Sequence, residues 1–301
     1  MKTASALDQE VERNIKVDGN TTITYKIYKP GKYRRLLVLI HGMASNMTRW
    51  SEFVDHTRLT DDWDILRLDL RGHGKSIARK RLGMASWCSD ISEILDVERY
   101  QDAVIIGHSL GAQVATQFAT RYPSRTAGLI LIDPVFYQAL HDKEHRFYKL
   151  RFIPWALSAF IRLLNRLGFY RRDFPYRDLR KLDEETRAAL AKSGDMNEIV
   201  ELYSSPFPDL KQFPIANYIQ EMVESLRPNP QFKYVTVPVL SVLAASPSYT
   251  NIETTRNIMD KLEQGESVEV HAYHWPLTEQ PDETREAIEN WCEKTFATVK
   301  S

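Results

Sequence analysis

The chain has 301 residues, 43% of them hydrophobic, enough to bury a large core in one big domain or two ordinary ones. Lys and Arg total 40 and so do Asp and Glu, and this zero balance argues against nucleic acid or another polyanion as partner. Two cysteines, Cys88 and Cys292, are too few for a disulfide framework and lack metal-ligand spacing, so unpaired reduced thiols and no metal are expected.

Residues 1–20 are polar and lack the basic head and apolar run of an export signal, which predicts a cytoplasmic protein. Residues 22–28 alternate β-branched or aromatic with polar side chains, the period of a half-buried strand. Residues 36–40 are continuously apolar and short, as in a strand covered on both faces. A helix is expected over 47–57 and a strand over 63–68, the latter stopping at a turn marked by Gly72 and Gly74. Residues 84–95 carry helix-spaced apolar positions, 103–106 read as a buried strand, and 111–122 as a helix. The strand over 129–132 ends at Asp133-Pro134, where proline forbids simple continuation.

From about 135 to 235 strand patterns vanish and the chain becomes helical, aromatic and basic, which reads as a cap (136–235) inserted into a core made of 1–135 and 236–301. Its cations, dense between Lys143 and Lys181, suit a solvated amphipathic face better than an anion or lipid-headgroup site. Its most apolar stretch, residues 152–170, is broken by Arg162, Asn165 and Arg166 and falls short of a membrane span. Core patterns then resume with a strand over 237–243, a helix over 253–262, a strand over 267–273 closed by His274, and a last helix over 281–296. Buried strands alternating with helices predict an α/β fold, a mainly parallel sheet covered on both faces.

In such a sheet the reactive crevice lies at the carboxyl ends of the strands, and four candidates fall there. Gly107-His108-Ser109-Leu110-Gly111 follows the 103–106 strand and precedes a helix, as a nucleophile elbow must. Serine needs a base to accept its proton, and His274, at a strand end in the C-terminal part, fits best. His41 and His73 sit in glycine turns, and His108 points away if the elbow lifts Ser109. Donors for a developing oxyanion are expected from the backbone N–H groups of Leu110 and Met43.

The order His41-Gly42, Asp69-x-Arg71-Gly72-His73-Gly74-x-Ser76, Gly107-x-Ser109-x-Gly111 and His274 resembles the α/β-hydrolase superfamily over nearly the whole chain outside the cap. The resemblance implies an eight-stranded sheet with a helical lid after the sixth strand, and no cofactor. A serine nucleophile is similar to that of esterases, lipases, thioesterases, lactonases and carbon–carbon bond hydrolases; dehalogenases and epoxide hydrolases carry Asp there. The family's usual acid after the seventh strand is missing, for Pro247 stands where it belongs. Some members carry the acid after the sixth strand, where this chain has Asp133; the acid role is favoured there over a merely turn-forming Asp-Pro, with Glu253 a distant second candidate. Asp69 and Arg71 read as structural.

The expected activity is hydrolysis of a small ester, thioester or lactone with an apolar acyl or aromatic group, by a Ser109-His274-Asp133 triad. His41, His108, Trp155, Phe160 and Trp275 are the candidates for substrate contact. A slow or non-catalytic receptor on the same fold, cofactor-free haloperoxidase chemistry and carbon–carbon cleavage stay open as alternatives.

Overall fold

The computed structural model describes residues 5–31, 34–193, 203, 206–228, 232–246 and 249–297, so Pro247 lies outside the described residues. The strands are β1 (Val11–Val17), β2 (Thr21–Tyr28), β3 (Arg35–Ile40), β4 (Trp63–Leu68), β5 (Ala103–His108), β6 (Thr126–Ile132), β7 (Val239–Ala244) and β8 (Gly265–Val270). They form one sheet in the order β1-β2-β4-β3-β5-β6-β7-β8, antiparallel at the β1–β2 and β2–β4 pairs and parallel from β4 to β8.

The described helices are α1 (Ala6–Gln9), α2 (Ser51–His56), α3 (Met84–Glu98), α4 (Leu110–Arg121), α5 (Asp142–Lys149), α6 (Phe152–Arg166), α7 (Leu179–Ser193), α8 (Pro206–Asp209), α9 (Ile215–Ser225), α10 (Ile252–Met259), α11 (Pro276–Glu279) and α12 (Pro281–Thr295). Alternation along the central strands divides the core in two. Leu36, Val38, Ile40, Ile105, Leu129 and Leu131 join Trp87, Ile91 and Phe118 of α3 and α4 on one face. Leu37, Leu39, Val104, Ile106, Ile130 and Ile132 join Phe53, Val54, Ile288 and Trp291 of α2 and α12 on the other. Each such side chain contributes about 1.5–3 kcal/mol on burial, and so continuous apolar runs become inner strands.

Two expectations need correction at the sheet edges. The polar stretch before residue 20 contains β1, an edge strand whose side chains are largely exposed; with little to bury, its apolar pattern is faint. The last strand ends at Val270 rather than Tyr273, because Ala272 N–H turns back to the Val270 carbonyl at 2.7 Å and the chain leaves the edge before His274. The helix expected over 47–57 also starts as a 3₁₀ turn, Met47–Trp50, capped by the Asn46 side chain on Thr48 N–H.

Between β6 and β7 the described residues hold five helices, α5 to α9. They are tied to the core loops by polar contacts. Asn217 Nδ2 donates to the Ala78 carbonyl at 2.8 Å, and Arg162 donates to the Arg79 and Lys80 carbonyls at 2.6 and 2.7 Å. His73 and Glu221, both fully buried, meet at 3.0 Å between Nε2 and Oε2.

Candidate active site

β5 delivers the chain to Ser109, which adopts φ 52° and ψ −114° before α4 begins at Leu110. For a residue with a side chain this conformation costs on the order of 1–3 kcal/mol and must be held by its surroundings. Gly107 and Gly111 make the turn possible: a Cβ on the first would overlap the Gly111 carbonyl, and one on the second the Ile40 carbonyl of β3. Ser109 N–H donates to the Ile132 carbonyl at 3.0 Å, fixing the elbow against β6. The loop after β3 lies on its other side, where a Cβ built on Gly42 would sit 3.4 Å from the Ser109 Cβ. Met43 follows in that loop, and Leu110 opens α4, where first-turn N–H groups have no carbonyl a turn earlier to bond. Leu110 thus adjoins Ser109 in the chain, and Met43 lines the same cavity as Ser109.

His274 Nε2 stands 3.0 Å from Ser109 Oγ, and its Nδ1 contacts Asp133 Oδ2. All three residues are buried. Asp133 reaches the imidazole although it follows β6 and not β7, because the two strands are neighbours: its N–H donates to the Val242 carbonyl at 2.8 Å. A left-handed φ of 39° turns its side chain, and Oδ1 accepts the Ala244 N–H at 3.3 Å, at the very end of β7. Glu253 instead pairs with Arg256 on an exposed side of α10.

Several groups hold the imidazole loop; of these only His108 is a sequence candidate, and that for substrate contact. Glu279 accepts the Tyr273 N–H and the Trp275 N–H, both at 2.9 Å, so one carboxylate grips the backbone on either side of His274. A carboxylate five residues after a strand-end histidine, just past Pro276, was the available signal. His108 Nε2–H donates to the His274 carbonyl at 2.7 Å; burial, aided by the neighbouring His274, lowers its pKa to about 3 and keeps it neutral. Tyr249 packs edge-on against the His274 ring at 4.9 Å between centroids.

A cavity of about 340 Å³ opens over Ser109 and His274. Met43, His108 and Trp275 are in its wall, together with Val135, Phe147 and Met222. His41, Trp155 and Phe160 are not. His41 is fully buried behind the β3 loop, its Nε2 accepting Leu70 N–H at 3.1 Å and its Nδ1–H donating to the Gly42 carbonyl at 2.8 Å. Trp155 lies under the Arg81 guanidinium, 3.9 Å from its ring centroid, in a separate groove. Phe160 projects outward from α6 and is 57% exposed. Sequence spacing identified an apolar helix there but carried no information on which way it faces.

The cavity also has a charged wall. Arg49 Nη1 pairs with Asp183 and donates to Thr278 Oγ1 at 2.7 Å, and Tyr203 Oη donates to Asp183 at 2.7 Å. Asp209 borders the same space, its carboxyl pushed up to about 7 by burial. Asp69 and Arg71 are structural in position, as expected: Asp69 accepts Met47 N–H and Lys75 N–H at 2.8 Å each, and Arg71 pairs with Asp90 beneath α3. Gly74 passes so close to Asp69 that a side chain would overlap its carboxylate.

Among the described residues no helix is long and apolar enough to cross a membrane. The chain is similar to solved structures of an enol-lactonase from Burkholderia xenovorans LB400 (TM-score 0.68, 16% identity, 92% of this chain and 98% of that one). It is also similar to a thermophilic esterase from Thermogutta terrifontis (TM-score 0.65, 19% identity, 95% and 99%). These likenesses show the fold. An uncharacterized Mycobacterium tuberculosis protein is 35% identical over 97 residues, which are 32% of this chain and 28% of that relative's length. A family model described as the alpha/beta hydrolase fold matches residues 35–281, from the start of β3 to the first residue of α12. Matched over most of its length and built on the eight-stranded sheet with its elbow after β5, the chain belongs to the α/β-hydrolase fold family.

Proposed function

We propose that the chain is a serine hydrolase cleaving a carboxylic ester, thioester or lactone through an acyl-enzyme on Ser109. One observation carries this reading: Ser109 Oγ is 3.0 Å from His274 Nε2, and the far nitrogen of the same ring meets Asp133. His274 takes the hydroxyl proton as Oγ attacks the carbonyl carbon, then returns it to the leaving alcohol, thiol or ring oxygen. The backbone N–H groups of Met43 and Leu110 receive the oxyanion of each tetrahedral intermediate. Water, deprotonated by His274, then attacks the acyl carbon; as the acyl–Oγ bond breaks and the carboxylic acid leaves, His274 passes that proton to Ser109 Oγ. Asp133 keeps the proton on Nδ1, so that Nε2 is the basic nitrogen, and offsets the imidazolium charge.

The insertion at 136–235 acts in this reading as a cap, lending Phe147 of α5 and Met222 of α9 to the cavity wall. Apolar side chains there, and a volume of about 340 Å³, suit a medium-sized apolar acyl or aromatic ester. The test is labelling of the purified chain with an active-site fluorophosphonate and turnover of a p-nitrophenyl ester series. Wild type is expected to label and turn over, whereas Ser109→Ala does neither, with activity down at least about 10³-fold. A wild type that neither labels nor cleaves any ester of the series overturns the reading.

A further inference from the structure

We propose that the outer face of α6 is a docking surface for an anionic lipid bilayer. α6 turns Trp155, Ser158, Ile161, Arg162 and Leu164 to the protein, so polar side chains anchor it while much of its apolar surface is left outside. Ser158 is buried and donates to the Ala216 carbonyl of α9 at 2.9 Å. Arg162 reaches inward to Gln220 Oε1 at 2.7 Å, as well as to the Arg79 and Lys80 carbonyls. The apolar stripe faces out: Ile153, Leu157 and Phe160, spaced four and three residues apart, are 53%, 49% and 57% exposed. Leu163 and Leu167 continue it, and Phe169 stands 72% exposed just beyond. Isolated exposed apolar residues are ordinary, but a continuous stripe on the outer face of an anchored helix calls for an apolar partner.

Charge identifies the partner, and reverses the expectation from sequence that these cations only solvate a helix face. Between Glu144 and Asp173 the sequence holds seven Arg or Lys and no carboxylate, in a chain whose net charge is zero. Only Arg162 of the seven turns inward; Lys149 and Arg151 flank the start of the stripe, and Arg166, Arg171 and Arg172 its end, all exposed. Cations bordering an apolar helix face are the arrangement that lies in a membrane interface, with apolar side chains among the acyl chains and cations on anionic headgroups. A second copy docking through the same face would set these cations against their own kind, and a nucleic acid would leave Ile153 and Leu157 unburied. At 15 residues the helix is too short to span, so it lies along the surface. A groove lined by Lys149, Phe152, Trp155 and Val223 lies between the start of α6 and α9, and α5, which precedes α6, contributes to the cavity wall over Ser109. The proposal does not depend on the serine chemistry.

The experiment is cosedimentation of the full chain with phosphatidylcholine vesicles, with and without phosphatidylglycerol. Phosphatidylglycerol is expected to raise the bound fraction about tenfold or more, and added salt to reverse the gain. Ile153→Ser with Leu157→Ser, and separately Arg166→Glu with Arg172→Glu, are expected to lower binding about tenfold. All four side chains are exposed, so melting temperatures should stay close to wild type, which separates lost docking from lost folding. Indifference to phosphatidylglycerol, or wild-type binding by both variants, overturns the proposal. So does a dimer in size-exclusion chromatography that Ile153→Ser with Leu157→Ser converts to monomer, since the face would then belong to a second copy.

Discussion

At the residue scale, Asp133 is the position where sequence and tertiary structure had to be combined. Its side chain meets His274 Nδ1 from a strand end adjacent to the one that usually supplies the acid. Asp133→Asn is expected to lower kcat by about 10³–10⁴-fold with KM within a few-fold, since the amide stabilises the wrong tautomer and no imidazolium. Steady-state kinetics on a p-nitrophenyl ester checks this; turnover near wild type would remove Asp133 from the site. His108 leads to a stability prediction. Its pKa falls from the ordinary 6.5 to about 3 in the fold, so the unfolded chain binds the proton more tightly. Its contribution is therefore complete above 6.5 and is lost as pH falls from 6.5 toward 3, by about 1.4 kcal/mol per pH unit within that window. Denaturant melts of wild type and His108→Gln should show their stability difference shifting against wild type over this range and level above pH 7.

At the scale of elements, the β5-Ser109-α4 turn was legible because its demands are local: glycines flank a residue forced to positive φ, after an apolar run and before a helix. The loop carrying His274 was legible only in part, since its geometry depends on α11, which comes after it. Glu279 grips the N–H groups of Tyr273 and Trp275, acting on the imidazole through the backbone. Glu279→Gln keeps shape but supplies only one acceptor oxygen for two donors. Its expected effect is about a tenfold fall in kcat with little change in KM, and an altered pH profile of kcat/KM as the ring loosens. A variant that lost only thermal stability would reduce Glu279 to a structural role.

At the scale of the whole molecule, α9, between β6 and β7, is fastened to the loop after β4 through the buried His73–Glu221 pair. Burial alone would lower the imidazole pKa, but Glu221, with Asp69 and the Arg71 backbone, more than reverses this, so His73 is raised above its ordinary value. Its stabilisation is thus complete below about 6.5 and is lost as pH rises through the folded-state pKa. Glu221→Leu is expected to cost about 3–5 kcal/mol below that value, with a deficit that shrinks under alkaline conditions, as urea melts over a pH series would record. The sequence by itself determined what periodicity and local stereochemistry encode: inner strands buried on both faces, the elbow glycines, and the strand-end order of Met43, Ser109, Asp133 and His274. Tertiary structure decided whatever depends on which strands are neighbours and which way a helix is turned. The first brought Asp133 to His274 across the β6–β7 pair; the second took Phe160 away from the cavity and put it on the surface, because an amphipathic pattern specifies two faces and the surroundings choose between them.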